Sequence, residues 1–249
     1  MKDELRQRFL GLAALAALGA VLSTGLSAGS SPRPVAGVIV DIKGKPSVTR
    51  SADGKTGTLK MRDFVYDGDA IKTGSGDRAA LAFVGGAEMR INESSEFTVE
   101  SGGGAKPTSV YTKAGQAWTR LLHGKAGMNV RSPLAVASVR GTEADVDVEK
   151  RMTVKVYEGL VDVQNQFGKQ SLQAGMMTQV AGAGQAPQQP KTMAPGDYTS
   201  WQNTLSPKDL GENLKKLNNE AEKNRSINLK FKDKDGKEKS VDIQIQKKK

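Results

Sequence analysis

From Val35 to Val180 apolar residues recur in short alternating runs among frequent Gly or Asp turns. Val38-Val40-Ile42, Ala80-Ala82-Val84, Met89-Ile91, Phe97-Val99 and Val154-Val156 are examples. A period of two is that of half-buried strands, and close spacing with turn signals predicts a mainly β sandwich, barrel or solenoid. The 28 glycines suit frequent turns. A hydrophobic content of 37% with only 5% aromatic residues predicts a core of Val, Ala, Leu and Ile. The chain has no cysteine, which excludes disulfides, thiolate metal sites and a cysteine nucleophile.

One stretch, Asn129 to Val148, is more specific. A small-residue strand runs into Arg140-Gly141-Thr142-Glu143, and Val146 and Val148 then alternate with Asp145, Asp147 and Glu149. This predicts strand, sharp corner, strand. Arg140 follows an apolar run, where a charge needs a partner. Its planar fork is expected to pair with Glu143 or Asp145 and pin the corner. An outward-facing Arg140 that binds a carboxylate or phosphate is the other reading.

The segment resembles the signature of FecR-type domains through Ser132, Pro133, Ala135, Ala137, Val139, Arg140, Gly141, Thr142, Glu143 and Val146. Other pieces follow in the family order. Gly37-Val38-Ile39 and Gly44-Lys45-Pro46-Ser47-Val48 resemble its opening hairpin. Asp67-Gly68-Asp69-Ala70-Ile71-Lys72-Thr73-Gly74 resembles its G-D-x-I-x-T-G turn. Ala80-Leu81-Ala82-Phe83 with Gly85-Gly86 resembles the strand and turn that follow. Val154 to Val161, with Glu158-Gly159 at its centre, resembles its V-x-V-x-E-G-x-V element. The resemblance spans roughly Gly37 to Val180. It implies a solenoid-like or roll-like β-fold and an extracytoplasmic sensor or interaction module. A faint repeat of glycine, strand, polar turn and Gly-Lys, starting at Gly37, Gly115 and Gly159, suits the same architecture.

Phe9 to Ala28 carries no charge, follows a short basic-acidic start, and ends in Ser27-Ala28-Gly29. This outlines a secretory signal peptide over residues 1–29, with a retained membrane anchor as the alternative. Export to the periplasm or cell envelope is expected. The family's signal transducers carry a sigma-factor-binding segment before the membrane helix. Eight residues precede the hydrophobic run here, so that role is not expected.

The expected organisation is a β domain over 35–180, a linker over 181–195, and a basic unit over 196–249. Ala181 to Pro195 has no apolar period and many linker residues. Ser206-Pro207-Lys208-Asp209 reads as a helix start, and Leu210, Leu214, Leu217 and Ala221 share one face. That stripe is expected to dock on the β domain or on the hairpin that follows. In the hairpin, Ile227, Leu229 and Phe231 alternate before Asp233-Lys234-Asp235-Gly236, and Val241, Ile243 and Ile245 alternate after it.

The net charge is +10. Residues 191–249 hold fourteen Lys/Arg and nine Asp/Glu, a net +5, so half the excess lies there. A basic balance favours anionic partners. Lys247, Lys248 and Lys249 are the candidate contacts for an anionic polymer or membrane surface.

Catalysis has little support. His123 is the only histidine and has neither a serine elbow nor a second imidazole to work with. Asp67, Asp69 and Asp77 lie near a Gly-rich turn and Asp145, Asp147 and Glu149 alternate along a strand, and strand alternation sends these acids to the solvent face. Trp118, Trp201 and Tyr198 are too scattered for a base-stacking platform, and Trp118 reads as core. No cofactor, metal, nucleic acid or small-molecule substrate is expected, and the candidate partner is an envelope protein. The motif residues expected to shape the fold are Gly68, Asp69, Arg140, Gly141, Thr142, Glu143, Glu158 and Gly159. Binding to a cell-wall glycan or anionic lipid is the alternative function, and a hydrolase using Asp69, Asp145 or His123 a remote third.

Overall fold

A computed structural model of the chain describes residues 33–101, 107–122, 127–140, 143–223, 226–232 and 238–244. The leader-like run, residues 102–106, His123, Gly141, Thr142, the Asp233 to Gly236 turn and Lys247 to Lys249 lie outside the described residues.

The protein is mainly β. Its strands in chain order are β1 (Val35–Lys43), β2 (Ser47–Thr49), β3 (Thr56–Thr58), β4 (Phe64–Tyr66), β5 (Ala70–Lys72), β6 (Arg78–Phe83), β7 (Ala87–Ile91), β8 (Glu96–Ser101) and β9 (Thr108–Leu121). They continue as β10 (Met128–Arg131), β11 (Val136–Val139), β12 (Glu143–Val148), β13 (Met152–Glu158), β14 (Leu160–Asn165), β15 (Gly168–Gln173), β16 (Met176–Val180) and β17 (Lys191–Thr192). One helix, α1 (Leu210–Lys223), and a separate hairpin, β18 (Ser226–Lys232) with β19 (Glu238–Gln244), follow.

The first seventeen strands pair in two ladders joined through one strand. In the first, the order is β4-β1-β6-β7-β9-β12-β13-β16-β17. In the second it is β3-β2-β5-β8-β9-β10-β11-β14-β15. Only β9 belongs to both. Its first half pairs with β8 and β10, its second half with β7 and β12. The changeover falls at Gly115, with φ +138, where an added Cβ would stand 2.6 Å from the Ser95 Cβ. Glycine is the residue that permits this backbone and this approach. Gly68 (φ +84) and Gly159 (φ +81) sit at two other changes of ladder, between β4 and β5 and between β13 and β14.

The apolar faces of both ladders share one core. Ile39, Leu81, Met89, Val146 and Val154 of the first meet Val48, Ile71, Phe97, Val110 and Val163 of the second. The sequence Arg78-Ala79-Ala80-Leu81-Ala82-Phe83 shows how one strand serves two cores. Ala79, Leu81 and Phe83 point into the shared core, while Ala80 and Ala82 face outward with Val35, Val38 and Val40. These outward residues are small, so α1 lies directly on them. Leu210, Leu214, Leu217 and Ala221, the stripe read from the sequence, pack there together with Leu205. The helix begins at Leu210 rather than near Ser206. The Ser206 N–H donates to Asp41 Oδ2 at 2.6 Å, which anchors that residue to β1 instead.

Gly44-Lys45-Pro46 is not a hairpin turn. It carries the chain from β1 in the first ladder to β2 in the second, and the two strands do not pair. The C-terminal hairpin has the expected register, with Ile227 opposite Ile243 and Leu229 opposite Val241. Within 181–195, Lys191 and Thr192 pair with β16, and Met193 is buried. Among the described residues no helix is long and apolar enough to cross a membrane.

Candidate functional site

The Arg140 corner and the Glu158-Gly159 corner, far apart in sequence, are neighbours. The Arg140 N–H donates to the Leu160 carbonyl at 3.0 Å. Arg140 Nη2 then pairs with Asp162 Oδ2 at 3.2 Å, not with Glu143 or Asp145. Lys169 and Ser171 also hold Asp162. The Ser171 hydroxyl is the main influence keeping the Asp162 carboxyl below its ordinary range, opposed by burial and helped by Lys169 and Arg140. The Arg140 side chain is 65% exposed, so this is a surface ion pair and not a buried one. Surface pairs contribute about 0–1 kcal/mol. Arg140→Ala is therefore expected to shift the thermal midpoint by no more than about 3 °C for a chain of this size. A drop above about 8 °C in a melting experiment would show that Arg140 carries the fold after all. Glu158 is exposed.

Glu143 is engaged elsewhere, accepting from Trp118 Nε1 at 2.7 Å. It belongs to a polar layer on the outer face of the first ladder, across β7, β9, β12 and β13. Glu88 is fully buried and accepts from Arg90 Nε at 2.7 Å and Arg120 Nη2 at 2.6 Å. The two guanidinium groups lie 4.6 and 5.4 Å from the Trp118 ring centre. Trp118 is buried as expected, but between two arginines rather than in either apolar core. Cross-strand register sets this up, because Arg90 lies opposite Trp118, and Glu88 opposite Arg120.

Asp145 departs most from the sequence reading, which placed it in solvent. It is 1% exposed. Gln116 Nε2 donates to both its oxygens at 2.9 and 3.1 Å, and Trp201 Nε1 donates to Oδ2 at 3.1 Å. Burial raises its pKa from 3.8 to about 6, against the lowering effects of Gln116, Trp201 and Lys155. Asp147, next along the same face, is also raised, by burial and then by Glu149.

The covering of Asp145 comes from residues 195–206. Lys155 Nζ donates to the Asp197 carbonyl at 2.6 Å, and Tyr157 shares a 2.8 Å hydrogen bond with Thr199. Arg90 Nη1 donates to the Gln202 and Leu205 carbonyls at 2.8 and 3.2 Å. Alternation in β12 and β13 correctly sends these side chains outward, but an irregular segment about fifty residues later makes outward mean buried. Opposite charges at facing positions of β7 and β9 were the one available signal.

Asp69 is also fully buried. Arg33 Nη1 reaches one oxygen at 2.9 Å and Arg50 Nη1 the other at 2.7 Å, and the Ser51 and Tyr66 N–H groups donate as well. Gly68 donates its N–H to the Val99 carbonyl, and an added Cβ there would stand 2.8 Å from Ser51. Asp77 accepts the N–H groups of Lys45 and Gly74, holding a turn. Among the described residues no group of three or more His, Cys, Asp or Glu is placed to hold a metal ion.

Residues 69–162 match the family model described as FecR protein. The ends of the match fall at the buried Asp69 and at the Asp162 that holds Arg140. Two solved structures of a proposed anti-sigma factor from Parabacteroides distasonis ATCC 8503, at 1.65 and 2.50 Å resolution, are similar at 16% identity with a TM-score of 0.44. Each similarity covers 49% of this chain and 59% of the other, so the chain spans about three fifths of their length. No curated protein matches the chain.

Proposed function

We propose that this protein is a non-enzymatic, exported FecR-domain protein that acts as a sensor or protein-interaction module in the bacterial cell envelope. The observation that carries this reading is the match of residues 69–162 to the FecR family model. The leader-like run Phe9 to Ala28 supports export. A non-enzymatic role is supported by how the buried polar side chains are used. Glu88, Arg90, Asp145 and Lys155 are bonded to the protein's own groups. A β-roll is the reading of the fold that accompanies this function, since from β10 onward the chain alternates between the two ladders two strands at a time. The unit over 196–249 serves as a second interaction element in this reading.

The test is recovery of the full chain from fractionated native cells. Its mass should begin near Ser30, and chemical crosslinking should attach it to an envelope protein. Deletion of the β18–β19 hairpin is expected to reduce that crosslink at least several-fold. A cytoplasmic, full-mass protein without crosslinked partners would sink the reading. The net +5 of residues 191–249 supports a second reading, attachment to an anionic envelope polymer. It predicts salt-sensitive co-sedimentation with cell-wall material that is lost when Lys247 to Lys249 are replaced.

A further inference from the structure

Residues 195–206 cover the polar outer face of the first ladder without joining its pairing. They include two short 3-10 turns, Pro195–Asp197 and Trp201–Thr204, rather than a strand. Their attachment is made largely through main-chain groups. Arg90 holds the Gln202 and Leu205 carbonyls, Lys155 holds the Asp197 carbonyl, and Asp41 holds the Ser206 N–H. Its side chains add Leu205, packed in the apolar cluster under α1, and a polar group in which Thr199 bonds Tyr157 while Trp201 Nε1 and the Thr199 hydroxyl approach Asp145 Oδ2 at 3.1 and 3.5 Å. Tyr198 lies beside Tyr157, ring centres 5.9 Å apart, and is half exposed.

We propose that residues 195–206 are a releasable strap, clamped over the outer face of the first ladder in acid and loosened as the pH rises toward neutrality, with Asp145 as the sensing group. The proposal concerns the chain's own conformation and holds whichever partner the protein serves.

The sense of the dependence follows from what the strap does to Asp145. With the strap closed, the carboxylate is removed from water, and the donors that face it are neutral amide, indole and hydroxyl groups. Lys155 of β13 is the cation acting on it, while Asp147 of β12 opposes its ionisation. Glu143 of β12 and Tyr157 of β13 complete the titratable groups nearby, and both are tied to other partners, Trp118 and Thr199. With the strap open, Asp145 faces water and returns toward its ordinary value. The closed state thus binds the proton more tightly than the open one, since burial lifts the group from 3.8 to about 6. A carboxyl whose pKa is raised in the closed state favours that state fully below the open-state value and loses the benefit as the pH rises through the closed-state value. The bonds from Arg90 and Lys155 run to main-chain carbonyls of the strap and not to Asp145, so the strap weakens without detaching altogether. For these two values the closing equilibrium is expected to be about tenfold more favourable at pH 5 than at pH 8. Opening uncovers Asp145 and loosens the cover over Arg90 and Trp118.

Hydrogen exchange on the full chain reads this directly. The Asn203 and Leu205 amides are bonded within the strap, and the Asp197 and Ser206 amides tie its ends to the Ala194 carbonyl and to Asp41, so the four report its opening. After correction for intrinsic rates, their protection should be about tenfold higher at pH 5 than at pH 8, and lower throughout than that of the β13 amides. Asp145→Asn, which imitates the protonated carboxyl, should keep the strap protected and remove the pH slope. Asp147→Asn should retain most of it. The proposal is overturned if the wild-type protection is flat or falls in acid, or if Asp145→Asn keeps the full slope. It is equally overturned if the strap and β13 exchange at one common rate, because the strap then has no opening of its own. A melting curve for each variant confirms that it is folded under the conditions compared.

Discussion

Glu88→Ala is expected to lower the thermal midpoint by about 10 °C. The side chain is fully buried and takes both Arg90 and Arg120. Its removal leaves Arg90, itself 8% exposed, as a buried cation with no carboxylate. Breaking a buried pair from one side costs about 3–5 kcal/mol, because the remaining charge is uncompensated. At about 2–4 °C per kcal/mol for a domain of this size, that gives the stated shift. Arg120→Ala should cost much less. The Arg120 side chain is 41% exposed, and Glu88 keeps its bond to Arg90 when Arg120 is gone. The ranking is the informative result. Thermal melts in which Arg120→Ala equals or exceeds Glu88→Ala would mean that the carboxylate does not neutralise Arg90. The same melts bear on the strap, because Arg90 holds both the Glu88 carboxylate and the Gln202 and Leu205 carbonyls.

How far the sequence carries is clear from single elements. Alternation in Ala87-Glu88-Met89-Arg90-Ile91 states which residues face the core, and the core contains Ala87, Met89 and Ile91. It says nothing about what lies over the other face. There Glu88 and Arg90 are buried because a segment more than a hundred residues later crosses them. The helix stripe was legible for the same reason that the strands were, since Leu210, Leu214, Leu217 and Ala221 fall on one side of a 3.6-residue period. The partner of Arg140 was not. A corner residue can reach any strand that passes it, and Asp162 lies on β14, the strand paired with β11, not on the strand that follows Arg140. The faint repeat likewise does not specify pairing. Gly159 begins a strand that pairs with the next one, whereas the strand after Gly37 leads into a change of ladder. A shared pattern of glycine and apolar residues fixes a local path and leaves the pairing open.

Asp69→Asn separates two carboxylates that contribute to the pH behaviour of this fold with opposite sign. Burial by itself would raise the Asp69 pKa, but hydrogen bonds from Arg50, Ser51, Tyr66 and Arg33 outweigh it and hold the group below its ordinary value. A carboxyl lowered in the folded state contributes stability above its unfolded value of 3.8, and loses it as the pH falls through the folded value. Asparagine keeps the shape but offers one acceptor where two oxygens receive donors, and must turn its NH2 toward one of them. At neutral pH the loss is expected to be about 3 kcal/mol, at the low end for a broken buried pair because Arg33 and Arg50 are each partly exposed and can hydrate. In denaturant titrations the gap between wild type and Asp69→Asn should narrow below pH 3.8, where the wild-type carboxyl begins to protonate. Asp145 has the opposite sign, contributing in acid and losing its contribution as the pH rises through about 6. Asp145→Asn should therefore flatten the neutral limb of the stability curve and leave the acid limb to Asp69. A constant gap for Asp69→Asn from pH 2 to pH 7 would show that its charge does not tie Arg33 and Arg50 to the turn at Gly68.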